Sequence, residues 1–111
     1  MEFNANKPIY LQIVDSVYER ILSGQLKAEE RILSVRELGA ELGVNPNTVM
    51  RSYEKMTSDE VIYNKRGIGY FVSADALQRV LSQQRKEFLE EELPLIKRRM
   101  QLLGIDPKDC L

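Results

Sequence analysis

Apolar side chains return every fourth position in the first part of the chain, which predicts an amphipathic helix there. The repeating positions are Ile9, Ile13, Val17 and Ile21. Asn6 is expected to be the N-cap of this helix, with Pro8 in its first turn and Gln12 on its solvent face. The helix is expected to end at Ser23-Gly24.

Two shorter helices follow. The sequence Ser34-Val35-Arg36-Glu37 matches a capping box, so a second helix is expected from Ser34 to a turn at Gly43. Gly39 allows another helix to approach this one closely. Asn45 followed by Pro46 predicts a third helix that runs to about Ser58. Two sets of residues alternate along it, one facing the core (Val49, Ser52, Tyr53, Met56) and one facing solvent (Asn47, Met50, Arg51, Glu54).

β-Branched and aromatic residues at 61–63 and 70–72 predict two strands. The residues between them, Asn64 to Gly69, include Lys65, Arg66 and two glycines, so the connection is a hairpin with a basic tip. Two short helices, a glycine turn and a basic hairpin, in this order, predict a winged helix-turn-helix that reads duplex DNA.

From residue 74 onward the pattern becomes that of a long helix, Ala76 to Glu92, which Pro94 kinks or restarts and which continues to Gly104. A helical hairpin of this size cannot bury its apolar side alone, so it packs on the head or on a second copy, and we favour the second copy. The residues expected at this dimer contact are Leu77, Val80, Leu81, Phe88, Leu95, Ile96 and Met100.

The predicted fold is therefore mainly α with a small β-hairpin. Residues 1–73 form a winged helix-turn-helix DNA-binding domain, and residues 74–111 form a short helical dimerisation tail. A chain of 111 residues has room for one small core and such an appendage. No apolar run is long enough for a membrane span and the N-terminus does not resemble a secretory signal, so we expect a cytoplasmic protein without a membrane partner.

Charge and composition narrow the chemistry. Residues 1–73 carry nine basic and ten acidic side chains and the remainder carry seven of each, so any DNA contact must come from a local basic patch. Cys110 is the only cysteine, which excludes an internal disulfide and a cysteine metal cluster. The absence of histidine and of nucleophile or phosphate-loop motifs argues against an enzyme, and we expect no cofactor or metal.

Duplex recognition needs groups that hold phosphate and polar side chains that reach base edges. We expect free N–H groups at the start of the third helix to face phosphate, and Arg36 to contact phosphate or guanine. Asn47 suits adenine, and an arginine at the hairpin tip suits the minor groove. The residues predicted to contact DNA are Ser34, Arg36, Asn45, Asn47, Thr48, Arg51, Lys65, Arg66 and Gly67.

Five segments are similar to the winged-helix head of GntR-family bacterial transcription regulators, and the Asn-Pro-Asn-Thr-Val form and short tail resemble the YtrA subfamily. These segments are Lys-Pro-Ile-Tyr-Leu-Gln-Ile (7–13), Ile-Leu-Ser-Gly (21–24), Ser-Val-Arg-Glu-Leu (34–38), Leu-Gly-Val-Asn-Pro-Asn-Thr-Val (42–49) and Arg-Gly-Ile-Gly-Tyr-Phe-Val (66–72). The resemblance implies DNA contacts at Arg36, residues 45–48 and Arg66-Gly67. It also implies a homodimer, often a repressor, on a partly palindromic operator.

The chain departs from the family pattern at several positions. Ala28-Glu29 replaces Pro-Gly, Leu33 replaces proline, Glu60 replaces the glycine after the third helix, and Met50 stands where many relatives have arginine. A left-handed backbone at Glu60 would cost roughly 1 kcal/mol relative to glycine, so the turn is rebuilt or stability is lost. We expect an operator that differs from those of the arginine-bearing relatives.

An alternative reading is a winged-helix module that binds other proteins and oligomerises through its helical tail. Salt distinguishes the two, since phosphate contacts weaken steeply with ionic strength and apolar contacts do not. A small-molecule effector is doubtful, because the 39 residues from Ser73 to Leu111 are too few for a substantial ligand cavity.

Overall fold

The computed structural model describes residues 6–110, so residues 1–5 of the predicted N-terminal domain and Leu111 lie outside the description. The first helix, α1, spans Ile9–Leu22 and buries the predicted apolar face. The expected cap at Asn6 is wrong, because Pro8 is the N-cap and its carbonyl accepts from the N–H groups of the next turn. The prediction that Gln12 lies on the solvent face of this helix is also wrong, since its side chain is buried and donates to the carbonyl of Lys7 at 2.7 Å.

Helices α2 (Val35–Leu42) and α3 (Pro46–Ser58) form the predicted helix-turn-helix. Between them Gly43 is left-handed, with φ 66°, as a tight turn after a helix requires. Gly39 permits the close approach expected of it, because a Cβ there would lie only 2.8 Å from the carbonyl oxygen of Val44. The inner face of α3 is buried as predicted, at Val49, Ser52, Tyr53 and Met56.

The hairpin is present and slightly longer than predicted. Strand β1 (Ile62–Lys65) pairs antiparallel with β2 (Gly69–Val72), and we call residues 62–72 the wing. The other edge of β2 bonds to the loop before α2, through Glu29 N–H to the Val72 carbonyl at 2.8 Å and Ile32 N–H to the Tyr70 carbonyl at 3.0 Å. The loop is therefore fixed to the wing, although its sequence has no strand pattern.

The core lies between α1, α3 and the inner side of the wing. Two hydroxyl groups connect its layers, since Ser52 donates to the Tyr10 carbonyl at 2.7 Å and Tyr53 donates to the Leu33 carbonyl at 2.5 Å. Burial raises the pKa of Tyr53 to about 12, so this donor keeps its proton at neutral pH. The buried apolar residues are Ile13, Val14, Val17, Tyr18, Ile21, Leu26, Val49, Tyr53, Met56, Val61, Ile62, Val72, Ala76 and Val80.

The chain divides into a unit that ends at Val80 and a second unit that begins at Leu81. Helix α4 (Ala76–Glu87) starts in the first unit, a π-helical segment follows at Phe88–Glu92, and α5 spans Leu93–Leu103. Residues 76–103 are helical throughout, so the expected helical hairpin is wrong. Pro94 falls in the first turn of α5, where its missing N–H is tolerated.

Two acidic residues occupy left-handed backbone conformations, Glu29 with φ 66° and Glu60 with φ 61°. Glu60 closes α3 in a Schellman motif, in which its own N–H donates to the Thr57 carbonyl and the Val61 N–H donates to the Met56 carbonyl. The turn thus keeps the left-handed conformation that a glycine would adopt, although the residue here is glutamate. The chain therefore carries the steric cost of a Cβ at this position.

Replacing Glu60 by glycine is expected to raise the free energy of unfolding by about 1 kcal/mol, because the Cβ strain is removed. The substitution also removes an exposed ion pair between Glu60 and Arg79, which is worth little. Glu60→Gln is the matched control, since it loses the ion pair but keeps the strain. Urea unfolding of both variants tests this, and a glycine variant no more stable than the glutamine variant would contradict it.

Candidate nucleic-acid interface

The start of α2 combines a cap, a cation and free backbone donors. The Ser34 hydroxyl accepts from the Glu37 N–H at 3.1 Å, and the Glu37 carboxylate accepts from the Ser34 N–H at 3.0 Å. The hydrogen bond that the Ser34 N–H donates to the carboxylate is the largest cause that lowers the pKa of Glu37. Within residues 6–110, the N–H groups of Val35 and Arg36 have no acceptor and the exposed Arg36 side chain has no ion pair. This arrangement suits a phosphate group.

The start of α3 differs from the expectation of free N–H groups. Pro46 has no N–H, the Asn47 N–H donates to Asn45 Oδ1 at 2.8 Å, and the Thr48 N–H donates to the Asn45 carbonyl at 2.9 Å. The backbone donors of this turn are therefore absent or already used, and the prediction of an N–H cradle here is wrong. The Asn45 amide NH₂ remains as a donor because only its oxygen serves the cap.

The outer face of α3 is exposed, as the sequence predicts, at Asn47, Met50, Arg51 and Glu54. Thr48 is half-buried beside them. The guanidinium of Arg51 lies 4.2 Å from the centre of the Tyr10 ring, so its side chain rests on α1 in the free protein. A role for Arg51 in binding DNA would require this contact to be given up or shared.

The tip of the wing is a four-residue turn from Lys65 to Ile68, closed by the Ile68 N–H donating to the Lys65 carbonyl at 2.9 Å. Gly67, with φ 80°, occupies the third position, where a type II turn requires a positive φ. Lys65 lies 4.9 Å from the centre of the Phe71 ring, while Arg66 is exposed and has no ion pair in the described part of the chain. The predicted basic tip is thus present and accessible.

Arg31 is a cation at this surface that the sequence reasoning missed. It forms a bridge with Phe71, and a Cβ at Gly69 would lie 3.0 Å from its Nε, so the guanidinium runs along the wing. Arg31 also contributes to lowering the pKa of Glu37 at the start of α2. It therefore lies between the wing and α2. The loop that contains Arg31 lacks the β-branched and aromatic pattern of the wing strands, so the sequence does not predict that it pairs with the wing. Only the hydrogen bonds between this loop and β2 place Arg31 beside the wing.

The acidic residues of the head are largely occupied by internal partners. Asp59 accepts from Tyr18 at 2.6 Å and pairs with Lys55 at 2.9 Å, and Glu60 pairs with Arg79 at 2.8 Å. Near the wing, the Glu29 carboxylate accepts from the Tyr63 hydroxyl and the Glu30 carboxylate from the Lys27 N–H. Asp59 and Glu60 lie at the C-terminal end of α3, about 20 Å from its N-terminus. Glu41 and Glu54, in contrast, are exposed and form no ion pair within residues 6–110.

The second unit has no buried residue within residues 81–110. Its large apolar side chains are exposed, and a groove of about 440 Å³ runs along Phe88, Leu89 and their neighbours. Leu77 in α4 is also exposed and Met100 is partly exposed. Val80 must be removed from the predicted dimer contact, because it is fully buried in the head core. The exposed apolar residues of this unit are Leu81, Phe88, Leu89, Leu95, Ile96, Leu102, Leu103 and Ile105.

Comparison with known proteins places this arrangement among transcription regulators. The model of the bacterial regulatory proteins of the gntR family matches residues 9–72. The uncharacterized HTH-type transcriptional regulator YhcF of Bacillus subtilis is 31% identical over 99% of this chain and 89% of its own length. The HTH-type transcriptional repressor YtrA of the same organism is 31% identical over 92% of this chain and 72% of its own length.

A solved structure agrees with both units of the chain. A GntR family transcriptional regulator from Listeria monocytogenes superimposes with a TM-score of 0.79 at 34% identity, covering 96% of this chain and 92% of that one. The similarity thus extends beyond the winged head into the helical tail. No helix within residues 6–110 has the length and apolar character needed to cross a membrane.

Proposed function

Because the chain belongs to the GntR family of bacterial regulatory proteins, we propose that it is a homodimeric repressor of a partly palindromic operator. It is a DNA-binding transcriptional regulator, and its named relatives include a repressor. In this proposal the protein has two partners, double-stranded DNA and a second copy of itself. Its role is to bind DNA rather than to catalyse a reaction. It acts in the cytoplasm, where chromosomal DNA lies.

The observation that carries the proposal is that three arginines from separate segments of the head are exposed and form no ion pair within residues 6–110. Arg36 comes from α2, Arg31 from the preceding loop and Arg66 from the wing. In the proposal α3 enters the major groove, Arg36 and Arg31 bind phosphate, and Arg66 reaches the minor groove. The residues proposed to contact DNA are Ser34, Arg36, Asn45, Asn47, Thr48, Arg51, Lys65, Arg66 and Gly67, with Arg31 added.

The tail supports the proposal of a homodimer. A helical unit that buries none of its described side chains has no core of its own, and most helices in proteins are stabilised by packing of an apolar face. Leu81, Phe88, Leu95 and Leu102 recur every seventh residue, the spacing that helices use when they pack side by side. Two heads joined in this way would read half-sites about one helical turn apart.

The test is a salt titration on a duplex that the protein selects from a random library. If each protomer of the dimer contacts phosphate through about four cations, the logarithm of affinity should fall against the logarithm of salt with a slope of about −7. Fluorescence anisotropy at several salt concentrations measures it. A scrambled duplex of the same length should show a similar slope at much weaker affinity, because its contacts are to phosphate alone.

Two results would overturn the proposal. If no duplex is enriched, or if the selected and scrambled duplexes bind equally, the chain does not read sequence. If the protein instead captures an apolar partner with little dependence on salt, the winged head serves protein contact.

A further inference from the structure

Met50 lies on the exposed face of the helix that we place in the major groove. Its neighbours Val49, Tyr53 and Met56 are buried, whereas Met50 is 39% exposed. The core therefore does not account for an apolar side chain at this position. The residues around it on the outer face are polar or charged, which does not fit a docking surface for an apolar protein partner.

Met50 and Asn47 are three residues apart, so they lie on one side of α3 and about 4.5 Å apart along its axis. This distance is close to the spacing of successive base pairs in a duplex, about 3.4 Å. The Asn47 side chain makes no hydrogen bond within residues 6–110, so its amide is available to a base edge. The two side chains can thus reach neighbouring base pairs.

The chemistry of the groove determines which base suits Met50. In the major groove thymine alone presents a methyl group, and apolar side chains recognise it by contact. A thioether does not satisfy the amino or carbonyl groups that the other bases present, and covering those groups without a partner is unfavourable. The unbranched methionine side chain can adjust to the position of the methyl group.

We propose that Met50 reads the 5-methyl group of a thymine in each half-site, next to the base pair that Asn47 contacts. This inference rests on the proposed placement of α3 in the major groove. Each half-site of the operator would then contain a T·A pair next to the base pair that Asn47 contacts.

The test uses the duplex selected from a random library, in which each thymine is replaced in turn by deoxyuridine. Deoxyuridine lacks only the 5-methyl group, so pairing and backbone charge are kept. The wild type is expected to lose about fourfold in affinity per half-site at one symmetric thymine, and about 15-fold when both half-sites are changed. The variant M50A is expected to bind more weakly and to lose nothing further on that change.

Two further variants show whether the effect belongs to this side chain. M50L keeps an apolar side chain at position 50 and should retain the sensitivity to deoxyuridine. R51A should retain it as well, because it removes a neighbouring polar side chain and leaves the contact of Met50 with the methyl group in place. Thermal unfolding of M50A and M50L should match the wild type, since the Met50 side chain is exposed.

The inference is overturned if no thymine shows the effect, or if M50A and wild type lose equal affinity at the same thymine. In both cases the selected duplex still binds with a steep dependence on salt, so the proposed function stands. If no duplex is selected at all, the proposed function and this inference fail together.

Discussion

Replacing Phe88 and Leu95 together by glutamate is expected to convert the proposed dimer into a monomer and to lower operator affinity at least about 100-fold. Both side chains are exposed in the single chain, at 43% and 66%, and would be covered in the proposed dimer. A carboxylate buried in an apolar contact is strongly unfavourable. Loss of the dimer also removes the gain in affinity from joining two heads. Analytical ultracentrifugation and anisotropy measure the two effects.

Point substitutions are preferable to deletion of the tail. Ala76 and Val80 belong to the buried core of the head, so a chain ending at Ser73 would lose core packing together with the tail. Lys108→Glu, which adds negative charge beyond α5, is the control and should remain dimeric. If the double glutamate variant is still a dimer while its head unfolds at the wild-type temperature, the tail is not the dimer contact.

Replacing Arg36 by alanine is expected to weaken operator binding at least about 30-fold. A specific contact of an arginine with phosphate or guanine is worth about 1–3 kcal/mol, and a dimer loses two such contacts. The free N–H groups of Val35 and Arg36 would remain, so some phosphate binding should survive. Anisotropy titrations at two salt concentrations measure the loss and reveal whether the salt slope falls.

Arg79→Ala is the matched control, because Arg79 is an arginine of the head that is already paired with Asp75 and Glu60. Its loss should change operator affinity less than about threefold, since exposed ion pairs contribute little to stability. Equal effects of the Arg36 and Arg79 substitutions would mean that binding responds only to net charge. The assignment of Arg36 to the interface would then be wrong.

The sequence predicted most of the local structure of the head. The capping box at Ser34, the turn at Gly43 and the span of α3 from Pro46 to Ser58 all follow from short-range chemistry, and the structure confirms them. The left-handed backbone at Glu60 was one of two outcomes that the sequence left open. Such features depend on neighbouring residues alone, so a sequence pattern is enough to find them.

The errors arose where a distant or competing group decided the outcome. Gln12 was assigned to solvent by helical spacing, but the carbonyl of Lys7 provides a partner that allows its burial. Val80 was assigned to the dimer contact because it continues the apolar pattern of the tail, whereas the first turns of α4 complete the head core. The periodicity identifies an apolar face but not the surface that covers it.

The amino-acid sequence by itself determined the order of helices and strands, their caps, and the basic tip of the wing. Tertiary structure alone decided which charges remain available, because it pairs Asp59, Glu60 and Glu29 internally and brings Arg31 alongside the wing. Caps and periodicities act over a few residues, while the pairing of charges depends on which segments meet in space. The composition of a nearly neutral head therefore does not reveal which of its described cations stay exposed and free of ion pairs.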